Sequence, residues 1–125
     1  MGVKKKKKEI LVVDDCAEMR EIIIEVLKDA GYLVVGAENA AVAKDLLKNL
    51  SFELMITDVD MPGINGLELA RYVKNTFPQT QLIVATGSYG GDVESTVSEL
   101  GGKFVRKPFS LIFLVQVVEE LIKRE

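Results

Sequence analysis

Short apolar runs alternate along this chain with stretches whose apolar residues recur at helical spacing, and the pair of patterns repeats five times. Glu9 to Asp14 (EILVVD) is the first run, apolar without interruption and ending in acid, as expected of a strand covered on both faces of a parallel sheet. A helix of about four turns follows, with Met19, Ile22, Ile23, Val26, Leu27 and Ala30 at helical spacing and Gly31 as its stop. Tyr32 to Ala37 reads as a second strand, and Ala40, Ala43, Leu46, Leu47 and Leu50 mark a second helix that Ser51 breaks. Leu54 to Thr57 is the third strand, and Leu67, Ala70, Val73 and Phe77 form a third helix closed before Pro78. Gln81 to Ala85 is the fourth strand. After Thr86, the sequence GSYGGD leads loosely into a short helix carrying Val93, Val97 and Leu100. Lys103 to Arg106 is the fifth strand; Leu111, Leu114, Val115, Val118, Leu121 and Ile122 stripe a final helix behind Ser110, an N-cap.

Five strand-helix units joined by short connections imply an open parallel sheet with helices on both faces and right-handed crossovers. The six-stranded dinucleotide order needs more chain and a G-x-G-x-x-G turn after the first strand, where this chain has DDCAEM. The expected class is therefore α/β, a flavodoxin-like doubly wound (βα)5 sandwich with strand order 2-1-3-4-5. At 125 residues, 48% hydrophobic and 28% charged, the chain suits one domain, read as residues 9–125 behind a basic arm at residues 1–8. Lys4 to Lys8 are five of the 16 basic residues, so the remaining 11 face 19 acidic ones and the folded part is acidic. The arm is read as a solvated terminus, with no direct nucleic-acid binding expected. The lone Cys16, the lack of a signal-peptide pattern and the absence of a run of roughly 20 apolar residues give the expectation of a cytoplasmic protein off the membrane.

In a sheet of this kind the carboxyl ends of the strands share one edge, where open α/β folds place their ligands. Strand one ends in Asp14 and Asp15, strand three in Asp58, strand four in Thr86, and strand five in Lys107 before Pro108. Carboxylates so close repel unless a cation neutralises them, and carboxylate plus water is the ligand set that Mg²⁺ prefers. Together with Lys107, such a cation could hold the equatorial oxygens of a phosphoryl group while an Asp58 oxygen attacks in line. The chain has no histidine, so it lacks the usual general base and cannot itself carry a phosphohistidine.

The Asp14-Asp15 pair, D-x-x-M-P-x-x-x-G from Asp58 to Gly66, Thr86 after an apolar strand and Lys107-Pro108-Phe109 together resemble the receiver domain of two-component response regulators, over about residues 9–124. The resemblance implies that Asp58 accepts phosphate from a phosphohistidine on a separate histidine kinase or phosphotransfer protein. It implies Mg²⁺, or Mn²⁺, held by Asp15, Asp58 and the backbone carbonyl of Asp60, with Asp14 acting mainly through metal-bound water. Lys107 would bind the phosphoryl group, Thr86 would move to hydrogen-bond it, Phe104 would swing inward with Thr86, and the Lys107-Pro108 bond would be cis. A receiver of this kind is no enzyme beyond its own phosphorylation and dephosphorylation. Gly87 stands where the family usually has alanine, and Gly90-Gly91 suggests a mobile switching region.

Other readings fit less of the chain. Asp58-Val59-Asp60 also resembles the D-x-D of haloacid-dehalogenase-type Mg-dependent phosphatases, but that motif follows a first strand, a place here taken by Asp14-Asp15. A flavin mononucleotide carrier would present its phosphate to an acidic crevice without a metal. Cys16 beside the acidic pair is read as inert, since anionic neighbours disfavour the thiolate. Ile112, Phe113 and Val117 cannot all face the sheet with the rest of the final helix. A surface of helix four, strand five and helix five is therefore expected to bind a downstream protein or a second copy of the chain.

Overall fold

The computed structural model describes residues 5–61, 65–87 and 91–123. Its sheet contains parallel strands β1 (Ile10–Val13), β2 (Val34–Ala37), β3 (Leu54–Asp58), β4 (Gln81–Thr86) and β5 (Lys103–Arg106), in the expected order 2-1-3-4-5. Helices α1 (Ala17–Asp29), α2 (Ala40–Asn49), α3 (Gly66–Thr76), α4 (Gly91–Glu99) and α5 (Leu111–Leu121) follow them in turn. Residues 62–64 of the D-x-x-M-P-x-x-x-G pattern and residues 88–90 of the glycine-rich lead-in lie outside the described residues.

Alternation along each strand divides the core between two faces. Leu11, Val13, Met55 and Val84 meet the side chains of α2, α3 and α4, among them Ala43, Leu47, Val73 and Val97. Ile10, Val12, Leu54, Ile56 and Ile83 point the other way, into Ile23 and Leu27 of α1 and Leu114 and Val118 of α5. Both faces of β1 and β3 are covered, which is why their sequences run apolar throughout.

Local chemistry sets the helix ends. Asn39, Asn65 and Ser110 each accept a hydrogen bond from the backbone three residues on, at 2.9, 2.9 and 3.0 Å. At the end of α1, Gly31 takes φ 99°, which lets its N–H reach Lys28 O and the Tyr32 N–H reach Leu27 O, the paired closure that a left-handed residue permits. Gly101, at φ 74°, closes α4 in the same way.

Three expectations need correction. Ile22 is 46% exposed and Ala30 is exposed, while Ile24 joins the core, so the buried stripe of α1 is rotated from the expected one. Leu50 lies outside α2: Leu50–Ser51 forms a two-residue strand parallel to Lys6–Lys7. The lysine arm is thereby docked from Lys5 onward rather than merely solvated. Lys5 Nζ donates to Leu47 O at 3.0 Å and lies 4.6 Å from the centre of the Phe77 ring. The Lys7–Glu53 pair, 3.7 Å apart and exposed, adds little.

Candidate functional site

The register brings the strand ends level. Val13 pairs with Thr57, Asp58 with Ala85, and Thr86 with Arg106. Backbone bonding then continues beyond the strands: Asp14 N–H donates to Ala37 O, Val59 N–H to Ala85 O and Lys107 N–H to Thr86 O, at 3.0–3.1 Å. The site residues are therefore held by the sheet itself, although wide stretches of sequence separate them.

Asp14, Asp15 and Asp58 each offer a carboxylate oxygen, all within 4.8 Å of one another. Asp14 and Asp58 are buried; Asp15 is exposed. Lys107 Nζ approaches Asp58 Oδ2 at 3.2 Å and Asp14 Oδ2 at 3.7 Å. One ammonium against three carboxylates leaves the cluster short of positive charge, and oxygen donors so gathered suit a hard divalent cation. Burial raises the Asp58 carboxyl above its ordinary range, while the Asp60 N–H and the charge of Lys107 pull it back.

Two neighbours, Cys16 and Arg20, set this geometry without belonging to the expected motif. Cys16 N–H donates to Asp14 Oδ1 at 2.9 Å, and Arg20 Nη1 donates to Asp14 O at 2.8 Å, so the first turn of α1 fixes Asp14 from both sides. No spacing rule announces Arg20. Gly66, the first residue of α3, has room for no side chain: a Cβ there would stand 2.0 Å from Asp58 O and 2.8 Å from Val59 Cα. The glycine that closes the D-x-x-M-P-x-x-x-G pattern thus serves close approach of a helix to the strand end.

Asp60 and Thr86 are also joined to each other, a contact that the sequence does not announce. The Asp60 N–H donates to Asp58 Oδ1 at 3.2 Å, and its carboxylate accepts the fully buried Thr86 hydroxyl at 3.0 Å. Phe104 is half-buried against the core on the α2, α3 and α4 face. It pairs with Val84 while Thr86 pairs with Arg106, so Phe104 and Thr86 share that face of the sheet one repeat apart. The Lys107-Pro108 bond is cis, as the resemblance implies.

The model of the response regulator receiver domain family matches residues 10–119. The chain belongs to that family. As a receiver domain it is a signalling module of two-component systems. It is 32% identical to the response regulator receiver protein CpdR of Brucella abortus, over 92% of this chain and 97% of that one. Among solved structures, the response regulator TrrA of Thermotoga maritima, in complex with Mg²⁺-BeF, is 33% identical with TM-score 0.82, covering 92% of this chain and 99% of that one. The beryllofluoride-activated NtrC4 receiver domain dimer is 27% identical with TM-score 0.84, covering 90% of this chain and 94% of that one. The phosphatase alternative finds no support: receiver membership spans nearly the whole fold, and Asp58 ends the third strand rather than the first. Among the described residues, no helix is long and apolar enough to cross a membrane.

Proposed function

We propose that Asp58 accepts a phosphoryl group from a phosphohistidine of a histidine kinase or phosphotransfer protein. The observation that carries this reading is the convergence of Asp14, Asp15 and Asp58 within 4.8 Å, with Lys107 Nζ bridging Asp58 and Asp14. An ionised Asp58 oxygen attacks phosphorus in line, the P–N bond to the donor imidazole breaks, and its electron pair stays on the imidazole nitrogen. Lys107 needs only a small shift from Asp58 Oδ2 to pair with a phosphoryl oxygen, and its N–H bond to Thr86 O keeps its backbone fixed meanwhile. Asp15, Asp58 and the Asp60 carbonyl are the residues proposed to hold Mg²⁺ or Mn²⁺, with Asp14 acting through bound water. When bound, the cation supplies positive charge to the phosphoryl oxygens and lowers the repulsion among the carboxylates. The relative TrrA, in complex with Mg²⁺-BeF, supports that pairing of metal and phosphoryl mimic at a receiver.

The donor protein has a natural landing place. Beside the crevice an apolar hollow of about 600 Å³ is lined by Met19, Ile22, Pro108, Phe109 and Leu111 and includes Lys107. It gives the exposed Ile22 a role in contact with the donor. The signal leaves by another route: Thr86 turns to the phosphoryl group, Phe104 moves inward behind it, and the surface of α4, β5 and α5 changes. On α5, Ile112 is 74% and Phe113 45% exposed, while Val117 is buried, so the apolar surface comes from the first turn of α5. That the beryllofluoride-activated NtrC4 receiver domain is a dimer supports a second copy of the chain as one partner, with a downstream protein as the other.

Titration with Mg²⁺, followed by amide shifts, tests the site. Wild type should bind the ion through residues 14, 15 and 58–60, and Asp15→Ala should weaken binding at least tenfold, the usual cost of losing one charged ligand, about 1.4 kcal/mol or more. An unchanged titration in Asp15→Ala would remove Asp15 from the metal shell.

A further inference from the structure

Building on the phosphoacceptor reading, we infer that the Asp60 carboxylate is a latch that holds Thr86 in its resting position and must release it when Asp58 carries a phosphoryl group. Asp60 touches both parties. Its N–H donates to Asp58 Oδ1 at 3.2 Å, and its Oδ2 accepts from Thr86 Oγ1 at 3.0 Å. Thr86 is fully buried at the end of β4, where its carbonyl is engaged by the Lys107 N–H, so the backbone is held and a change of acceptor falls to the hydroxyl.

A hydroxyl has a single proton to donate. The bond to Asp60 and a bond to a phosphoryl oxygen on Asp58 are therefore alternatives. Both acceptors are anionic, so both bonds are of the stronger, charge-assisted kind, and the exchange costs only their difference. A phosphoryl group also adds negative charge beside the Asp60 carboxylate, which favours swinging that exposed side chain out to water. Asp60 thus sets how readily the switch turns: the tighter its hold on Thr86, the larger the fraction of phosphorylated or mimic-bound protein that stays in the resting arrangement. Asp60 acts here as a positioning residue, through Thr86.

Beryllofluoride binding at saturating Mg²⁺, read from amide shifts of the full chain, tests the latch. Asp60→Ala retains the backbone N–H and carbonyl but loses the acceptor, and should lower the half-saturating beryllofluoride concentration about fivefold, the equivalent of one hydrogen bond of about 1 kcal/mol. Asp60→Asn, which keeps a neutral acceptor, should fall between. In a Thr86→Val background, Asp60→Ala should tighten binding clearly less, because only charge repulsion is then relieved and the hydroxyl that Asp60 restrains is gone. Equal tightening with and without the Thr86 hydroxyl would show charge repulsion alone and overturn the latch, as would no tightening in wild-type background. A wild-type protein that takes up no beryllofluoride would overturn the phosphoacceptor reading and the latch with it, whereas wild-type uptake with an unresponsive Asp60→Ala would overturn only the latch.

Discussion

Two glycines near Asp58 answer opposite demands. A Cβ at Gly66 would strike backbone atoms of Asp58 and Val59, none of which can turn aside as a side-chain end would. Gly66→Ala should therefore move α3 or the end of β3, lower stability by about 3 kcal/mol in chemical denaturation and weaken Mg²⁺ binding with it. At Gly87 the nearest atom to an added Cβ is Lys107 Cβ at 3.8 Å, an ordinary contact, and φ is not in the left-handed region. Gly87→Ala should be accepted and raise the melting temperature slightly, by the equivalent of about 0.5 kcal/mol, through the lost freedom of the unfolded chain. Asp58 itself carries a cost at neutral pH. Burial raises its pKa in the folded state above the unfolded value, so its favourable contribution is complete below the unfolded pKa and is lost as pH rises through the folded one. Asp58→Asn keeps an acceptor for the Asp60 N–H and leaves Lys107 paired with Asp14. In EDTA that variant should be the more stable at pH 7, the margin narrowing on acidification; a less stable variant at pH 7 would contradict burial as the dominant influence on Asp58.

At the scale of elements, the strands were the most legible part of the chain. A strand buried on both faces has little tolerance for polar residues, so β1, β3 and β4 stand out as apolar runs and the acids and hydroxyl just past them mark the functional edge. Helix faces were less legible. Nearly every hydrophobic position in α1 could join a stripe, and only the packing against β2 and α5 decides that Ile24 goes in while Ile22 stays out. In α5, likewise, Val117 is buried and Ile112 is not. The hidden parts of the site are contacts between a side chain and someone else's backbone or hydroxyl, such as Arg20 on Asp14 O and Asp60 on Thr86, for which sequence spacing has no rule. The exposed first turn of α5 leads to an element-scale expectation. Beryllofluoride should shift amides across residues 92–122 as well as those of the crevice; changes confined to residues 14–16, 58–60 and 107 would leave the α4, β5 and α5 surface without a switch.

For the whole molecule, the site exists only while four strand ends stay in register, because Asp14, Asp58, Thr86 and Lys107 share no local segment. Any ligand of the crevice is then a ligand of the folded state alone. Mg²⁺ at about 100 times its dissociation constant should add about 2.7 kcal/mol to unfolding, and at the same Mg²⁺ concentration Asp15→Ala should lose about half of that rise in melting temperature or more. The acidic character of the folded part, apart from the lysine arm docked at the opposite end of the strands, is consistent with a domain whose function turns on one more negative charge placed among carboxylates. The most direct test of that claim is to incubate the protein with acetyl phosphate and follow the intact mass and the modified peptide. The account predicts one phosphoryl group per chain, on Asp58, dependent on Mg²⁺ and absent from Asp58→Asn; undiminished labelling of Asp58→Asn, or labelling of wild type that persists in EDTA, would contradict it.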